Sequence, residues 1–174
     1  MRLIVLLLLL CAPVLPTPAS AAELDLHPPS TEVSIRAYGL GFLPFDGKFT
    51  RFHGVMQYDQ QQPGKCQVML EIDPSSLRMS SQSITDRVTG PDFMDVAHFP
   101  AMAFSGACTD RTVSGTLDLH GQTHPFDLEL RQSKGRLTAT GRLRRSEWGM
   151  TAEPFRVGRT IRIRVELPAP GEHA

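Results

Sequence analysis

Apolar and polar residues alternate with a period of two over most of this chain, the rhythm of strands with one buried face. From Glu32 to Tyr38, Val33, Ile35 and Ala37 share one side, and Glu32, Ser34 and Arg36 the other. Gly39, Gly41 and Pro44 break that run. The next, Gly47 to Tyr58, carries Phe49 and Phe52 at opposite parity. A bulge near Arg51 reconciles them, with Gly54 relieving the crowding. Cys66 to Asp73 alternates cleanly through Cys66, Val68, Leu70 and Ile72, and Asp73-Pro74 ends it. Five more runs follow: Ala101 to Cys108, Thr112 to His120, Pro125 to Arg131, Arg136 to Arg145 and Thr160 to Leu167.

One stretch departs from this rhythm. Ser75 to Thr89 is polar and irregular, and it leads into GPDFMDVAHFPAMAFSG, Gly90 to Gly106. Gly90-Pro91 signals a turn, and Asp92 suits the cap of a short helix beginning at Phe93. Phe93, Val96 and Ala97 fall on one face of that helix, and Pro100 stops it after about two turns.

Eight amphipathic runs with short links predict an all-β, eight-stranded antiparallel up-and-down barrel. Its one short helical insertion would lie as a lid over the mouth. A two-sheet sandwich with a helical plug shares the pattern, since alternation alone does not show closure. An outer-membrane barrel fits less well. Its spanning strands need about 9–11 residues, whereas several runs here hold seven or eight. It also needs aromatic girdles, and outside the leader only Trp148, Tyr38 and Tyr58 could build them.

Composition changes the picture in three ways. Arg2, the apolar run Leu3 to Ala12, a Pro-rich stretch and Ala19-Ser20-Ala21 have the layout of a secretory signal peptide. The run is too short to span a bilayer, which needs about 20 apolar residues. Residues 1–21 are therefore read as leader and 22–174 as one exported domain of the periplasm, not membrane-spanning once cleaved. The 18 basic residues balance the 18 acidic ones, which argues against nucleic acid as a partner. Cys66 opens one inward-facing run and Cys108 closes the next, so antiparallel neighbours would bring the thiols together. In an oxidising compartment this favours a structural disulfide over two free buried thiols.

Chemistry is sparse. There is no GxSxG, HExxH or Walker loop. His120 and His124 stand four apart, but Gly121-Gln122-Thr123 and Pro125 deny them a shared helical face, so no metal site is expected. His98 suits the end of the lid helix, and Asp92 and Asp95 its N-terminal charges. What remains is apolar volume. Ala37, Gly106, Gly115, Ala139 and Gly141 face inward and leave space for a slender ligand. The pattern leaves open whether Phe49, Phe52, Phe104 and Phe126 simply fill it.

Five segments in order, GKFTRFHG (Gly47 to Gly54), EIDPSSL (Glu71 to Leu77), DFMDVAHFPAMAFSG (Asp92 to Gly106), SGTLDLHGQTHPFDLEL (Ser114 to Leu130) and RSEWGM (Arg145 to Met150), give the chain a family likeness. It resembles the YceI-like polyisoprenoid-binding family over most of its exported part. The resemblance implies a lipocalin-like barrel whose apolar pore holds an isoprenoid chain or quinone tail as ligand, with no other cofactor and no catalysis. It places Asp92, Phe93, Phe99 and Pro100 in the insertion, His120-Gly121 at a strand-end turn, and Arg145, Trp148 and Gly149 in the RSxxG segment. The expected tail contacts are Phe49 and Phe52, Val68 and Leu70, Met102 and Phe104. Leu117, Leu119, Phe126 and Leu128 continue the wall, with Phe93, Phe99 and Trp148 at its end. The partner is then a long-chain isoprenoid lipid, and a homodimer stays open. A structural or stress-protection barrel with a filled lumen, or an enzyme on the same scaffold, is the alternative.

Overall fold

A computed structural model of the chain describes residues 21–59 and 61–169. Apart from Ala21, the leader read in the sequence lies outside the described residues. The strands are β1 (Ala21–Leu26), β2 (Glu32–Gly39), β3 (Leu43–Phe49), β4 (Phe52–Asp59), β5 (Gln62–Ile72) and β6 (Leu77–Met79). Helix α1 (Gln82–Thr89) follows, then β7 (Met102–Thr109), β8 (Thr112–Leu119), β9 (Gln122–Ser133), β10 (Arg136–Arg144) and β11 (Thr160–Pro168). Two 3-10 turns, Pro74–Ser76 and Arg145–Trp148, complete the path.

All pairings are antiparallel, in the order β1-β4-β5-β7-β8-β9-β10-β11-β2-β3-β6. Because only Thr50 and Arg51 separate β3 from β4, the curled sheet returns on itself as a barrel. Among the described residues there are 11 strands where eight were expected. Each of the eight alternating runs is present, the second divided into β3 and β4. The surplus is that division together with the short β1 and β6.

The division resolves the parity conflict of Phe49 and Phe52, which are both buried. Ladder pairing lapses at Thr50 and Arg51, and Ser76 supplies what the backbone loses. Its hydroxyl accepts from Thr50 N (3.2 Å) and Arg51 N (3.0 Å) and donates to Asp73 O (2.7 Å). Asp73 N in turn donates to Arg51 O at 3.1 Å. Ser76 itself is fully buried, so the bulge costs no unsatisfied backbone donor.

The expected helix from Phe93 is absent. Residues 91–94 and 96–98 form turns, and the helix lies one segment earlier, in the stretch read as irregular. Ser81 caps it, its hydroxyl accepting from Ile84 N at 3.3 Å. Asp95 sits at φ 44°, a conformation that a right-handed helix cannot contain. Met94 N and Val96 N fold back to the carbonyls of Val88 and Thr89, at 3.0 and 3.1 Å. The residues expected to be helical therefore satisfy the last carbonyls of α1 instead.

Cys66 and Cys108 are disulfide-bonded across β5 and β7, with Cα atoms 4.7 Å apart. They lie at the end of the barrel where the β7–β8 hairpin turns. Closing a loop of 42 residues stabilises the fold by about 4 kcal/mol in the chain-entropy account. Among the described residues, no helix is long and apolar enough to cross a membrane.

Candidate functional site

The inward positions divide the barrel interior into a filled part and an open part. In the filled part, Phe104 meets Phe126 edge to face at 6.3 Å, and Phe126 meets Trp148 in the same way at 6.3 Å. The small residues facing the axis do not leave a lumen here. A β-carbon on Gly106 would lie 2.9 Å from Phe104 Cζ, and one on Gly141 would lie 2.5 Å from Phe126 Cζ. These glycines admit the aromatic rings.

Toward the disulfide-free end the interior opens into a cavity of about 420 Å³. Ile35, Ala37 and Gly39 of β2 and Leu43 and Phe45 of β3 make one wall. Met102, Leu119 and Leu143, at the ends of β7, β8 and β10, face it. Helix α1 covers it: Ile84, Arg87 and Val88, spaced three and four apart, all line the cavity. Phe93 and Met94 of the following turns extend the cover. The covering role expected of a helix at Phe93 thus falls to α1.

Polar groups at the mouth are largely committed to one another. Arg87 of α1 forms an ion pair with Glu153 on the loop after β10. Arg145 is buried and donates to four carbonyls of that loop: Met150 O (2.6 Å), Gly158 O (3.1 Å), Val157 O (3.2 Å) and Glu153 O (3.4 Å). Its guanidinium stands 5.7 Å from the Phe93 ring centroid. Burial holds it below its ordinary pKa. A planar fork with several donors is what such a set of carbonyls requires, and it shapes residues 145–158 into the rim of the mouth.

Of the thirteen expected contacts, Phe93, Met102 and Leu119 line the cavity. Phe49, Phe52, Leu70, Phe104, Leu117, Phe126, Leu128 and Trp148 are buried in the packed core around it. Val68 packs half-buried against that core. Phe99 lies outside the cavity, with its ring 4.3 Å from that of His120. His120 and His124 go separate ways. His120 (φ 54°) and Gly121 (φ 68°) form the tight β8–β9 turn, while His124 packs on Trp148 at 5.0 Å. His98 bonds through Nδ1 to the Asp95 carboxylate at 2.9 Å.

Sequence reasoning missed the α1 contacts and the start of β3. Leu43, Phe45, Gly47 and Phe49 do share parity, but Gly39, Gly41 and Pro44 masked that run as a break. In α1 the signal was Ser81 followed by Ile84 and Val88, diluted by polar neighbours.

Related proteins agree with this architecture. A UPF0312 protein of Vibrio cholerae is 27% identical over 120 residues, 64% of either chain. Protein YceI of Salmonella arizonae is 26% identical over 116 residues, 64% of this chain and 61% of its own length. The chain thus spans a little under two thirds of these curated relatives. The crystal structure of Burkholderia cenocepacia BcnA superimposes with a TM-score of 0.65 at 19% identity, covering 78% of this chain and 94% of that one. A polyisoprenoid binding domain from Saccharophagus degradans gives 0.59 at 15% identity, over 87% and 100%. At these identities the shared property is the fold. The sequence model of the YceI-like domain matches residues 24–169, nearly the whole described barrel, and the chain belongs to the YceI-like domain family.

Proposed function

We propose that this chain is a non-catalytic carrier that holds the apolar tail of an isoprenoid lipid or isoprenoid quinone beneath α1. The observation that carries the reading is the cavity: an apolar chamber of about 420 Å³, roofed by a short amphipathic helix and open at a rim of Leu40 and Leu43. Its size falls in the lower part of the range for small-ligand sites, about 300–1,000 Å³. A long tail is therefore held in part, with the aromatic packing at Phe104 and Phe126 setting the depth. The head group then lies among Arg87, Glu153 and Arg156. The polyisoprenoid binding described for the Saccharophagus degradans domain supports an isoprenoid tail over other apolar cargo. Arg145 and the Arg87–Glu153 pair are engaged in holding the rim, which favours binding over catalysis. The leader-like start of the chain and the Cys66–Cys108 bond support a periplasmic location. One chain lines the whole cavity, so a homodimer is not needed to complete it.

Solvent extraction of the purified protein followed by mass spectrometry tests the reading. An isoprenoid lipid near one per chain is expected. If no lipid is extracted and a fluorescent isoprenoid alcohol does not bind, the chain is the filled, structural barrel of the alternative.

A further inference from the structure

The mouth of the cavity carries an apolar rim that the carrier reading alone does not require. Phe42 is 71% exposed, Phe155 93%, Leu40 61% and Leu43 43%. Leu40, Phe42 and Leu43 lie at the β2–β3 turn and Phe155 on the loop before β11, and the two segments are stitched edge to edge. Leu40 N donates to Arg156 O at 2.8 Å, Gly158 N donates to Tyr38 O at 2.7 Å, and Gly39 bridges Val157. Four large apolar side chains thus gather at one place on the surface, where a lone exposed one would mean little. Leu40 is held at φ 48°, a strained conformation for a bulky residue, and it points an apolar side chain toward solvent. Leu40 and Leu43 also line the cavity, so chamber and rim form one continuous apolar surface. Arg156 and Arg159 are exposed on the same loop, and among the described residues neither pairs with a carboxylate.

Resting on the carrier reading, we propose that this rim docks onto an anionic lipid bilayer. Phe42, Phe155, Leu40 and Leu43 enter the interfacial layer, and Arg156 and Arg159 meet headgroup phosphates. A bilayer fits this surface better than a second copy of the chain does. A second copy would bring Arg156 and Arg159 against the same positive residues, whereas anionic headgroups neutralise them. A docked bilayer also places the mouth against the phase in which an isoprenoid tail dissolves, so the tail need not cross water.

Flotation with vesicles of phosphatidylglycerol and phosphatidylethanolamine tests the proposal, with phosphatidylcholine vesicles as reference. The parent protein is expected to float with the anionic vesicles and to be released by high salt. Phe42→Asp/Phe155→Asp should lower the bound fraction at least tenfold, and Arg159→Glu should lower it on anionic vesicles only. None of these positions lines the cavity, so each variant should take up a fluorescent isoprenoid alcohol delivered from ethanol as the parent does. Their far-UV circular dichroism and unfolding midpoints should also match the parent's. A parent that ignores vesicles, or a double aspartate variant that binds them undiminished, overturns the docking. So does a parent that sediments as a dimer and becomes a monomer with the two aspartates, since the rim is then an interface between copies. If the parent and the variants all fail to take up the alcohol while vesicle binding still depends on Phe42 and Phe155, the carrier reading falls and the docking stands.

Discussion

The ring of Phe126 occupies the space that a side chain at Gly141 would need: an added β-carbon would stand 2.5 Å from Phe126 Cζ and 2.8 Å from Leu128 Cδ2. Gly141→Ala should therefore overpack the core and cost about 1–3 kcal/mol, while leaving lipid content unchanged. Phe126→Ala should cost about 3–5 kcal/mol and deepen the chamber, so that it accepts longer tails. Urea unfolding, together with a tail-length series of bound isoprenoids, checks both. An alanine at 141 that leaves the midpoint unmoved would contradict this packing.

Ala37 faces the cavity rather than the core, so added bulk there displaces ligand rather than protein. Ala37→Phe is expected to abolish lipid retention while costing less stability than the about 1–3 kcal/mol of overpacking a filled core. Phe104→Trp should behave in the opposite way. It lies beside Phe126 and over Gly106, and should lose about 1–3 kcal/mol with lipid still bound. Extracted lipid per chain, set beside the midpoint of each variant, separates the two outcomes.

The Arg87–Glu153 pair joins α1 to the rim loop, with the two side chains 58% and 23% exposed. An ion pair this accessible contributes about 1 kcal/mol or less to global stability. Its effect should be local. Arg87→Ala is expected to leave the unfolding midpoint nearly fixed, to hasten amide exchange across α1 relative to Val113–Leu119, and to speed ligand release. High salt should mimic part of this in the parent. Equal protection of α1 and β8 in the lipid-free variant would refute the latch.

At the bulge, Ser76→Ala removes the acceptor for Thr50 N and Arg51 N. Thr50 N keeps the Ser76 carbonyl as an acceptor, so the loss should be about 1 kcal/mol, that of an ordinary hydrogen bond. Asp73 beside it is held below the usual carboxylate range, chiefly by the Ser75 hydroxyl and then by Arg51. A depressed carboxylate stabilises the fold above its unfolded pKa of about 3.9 and loses that contribution as pH falls through its lower folded value. Stability should thus be flat in this respect from pH 7 to about 5 and decline below about 4. Asp73→Asn should flatten the decline, as measured by denaturant midpoints across an acid series.

The eight alternating runs were legible because a strand with one buried face leaves its period in the sequence whatever lies beyond it. Even the bulge showed, as Phe49 and Phe52 three residues apart on a strand. The cover of the mouth did not. α1 buries only part of one face, so Ile84 and Val88 stand among serines, threonines and charges. The apolar stretch at Phe93 looked more helical, although its backbone is committed to capping α1. Free volume was least legible of all. A small residue facing the axis can border empty space, as Ala37 does at the cavity, or admit a neighbour's ring, as Gly39, Gly106 and Gly141 do. Only the packing of Phe104 and Phe126 tells these apart.

The aromatic layer at Phe104, Phe126 and Trp148 makes the apolar chamber a blind alley. On the carrier reading, a tail held there would leave by the mouth through which it entered. The barrel has no intrinsic direction, unlike a tunnel with different ends. Net traffic would follow the difference in chemical potential of the tail between donor and acceptor. The protein would shorten the time to equilibrium without moving its position. Any one-way flux must then come from what consumes the cargo at its destination.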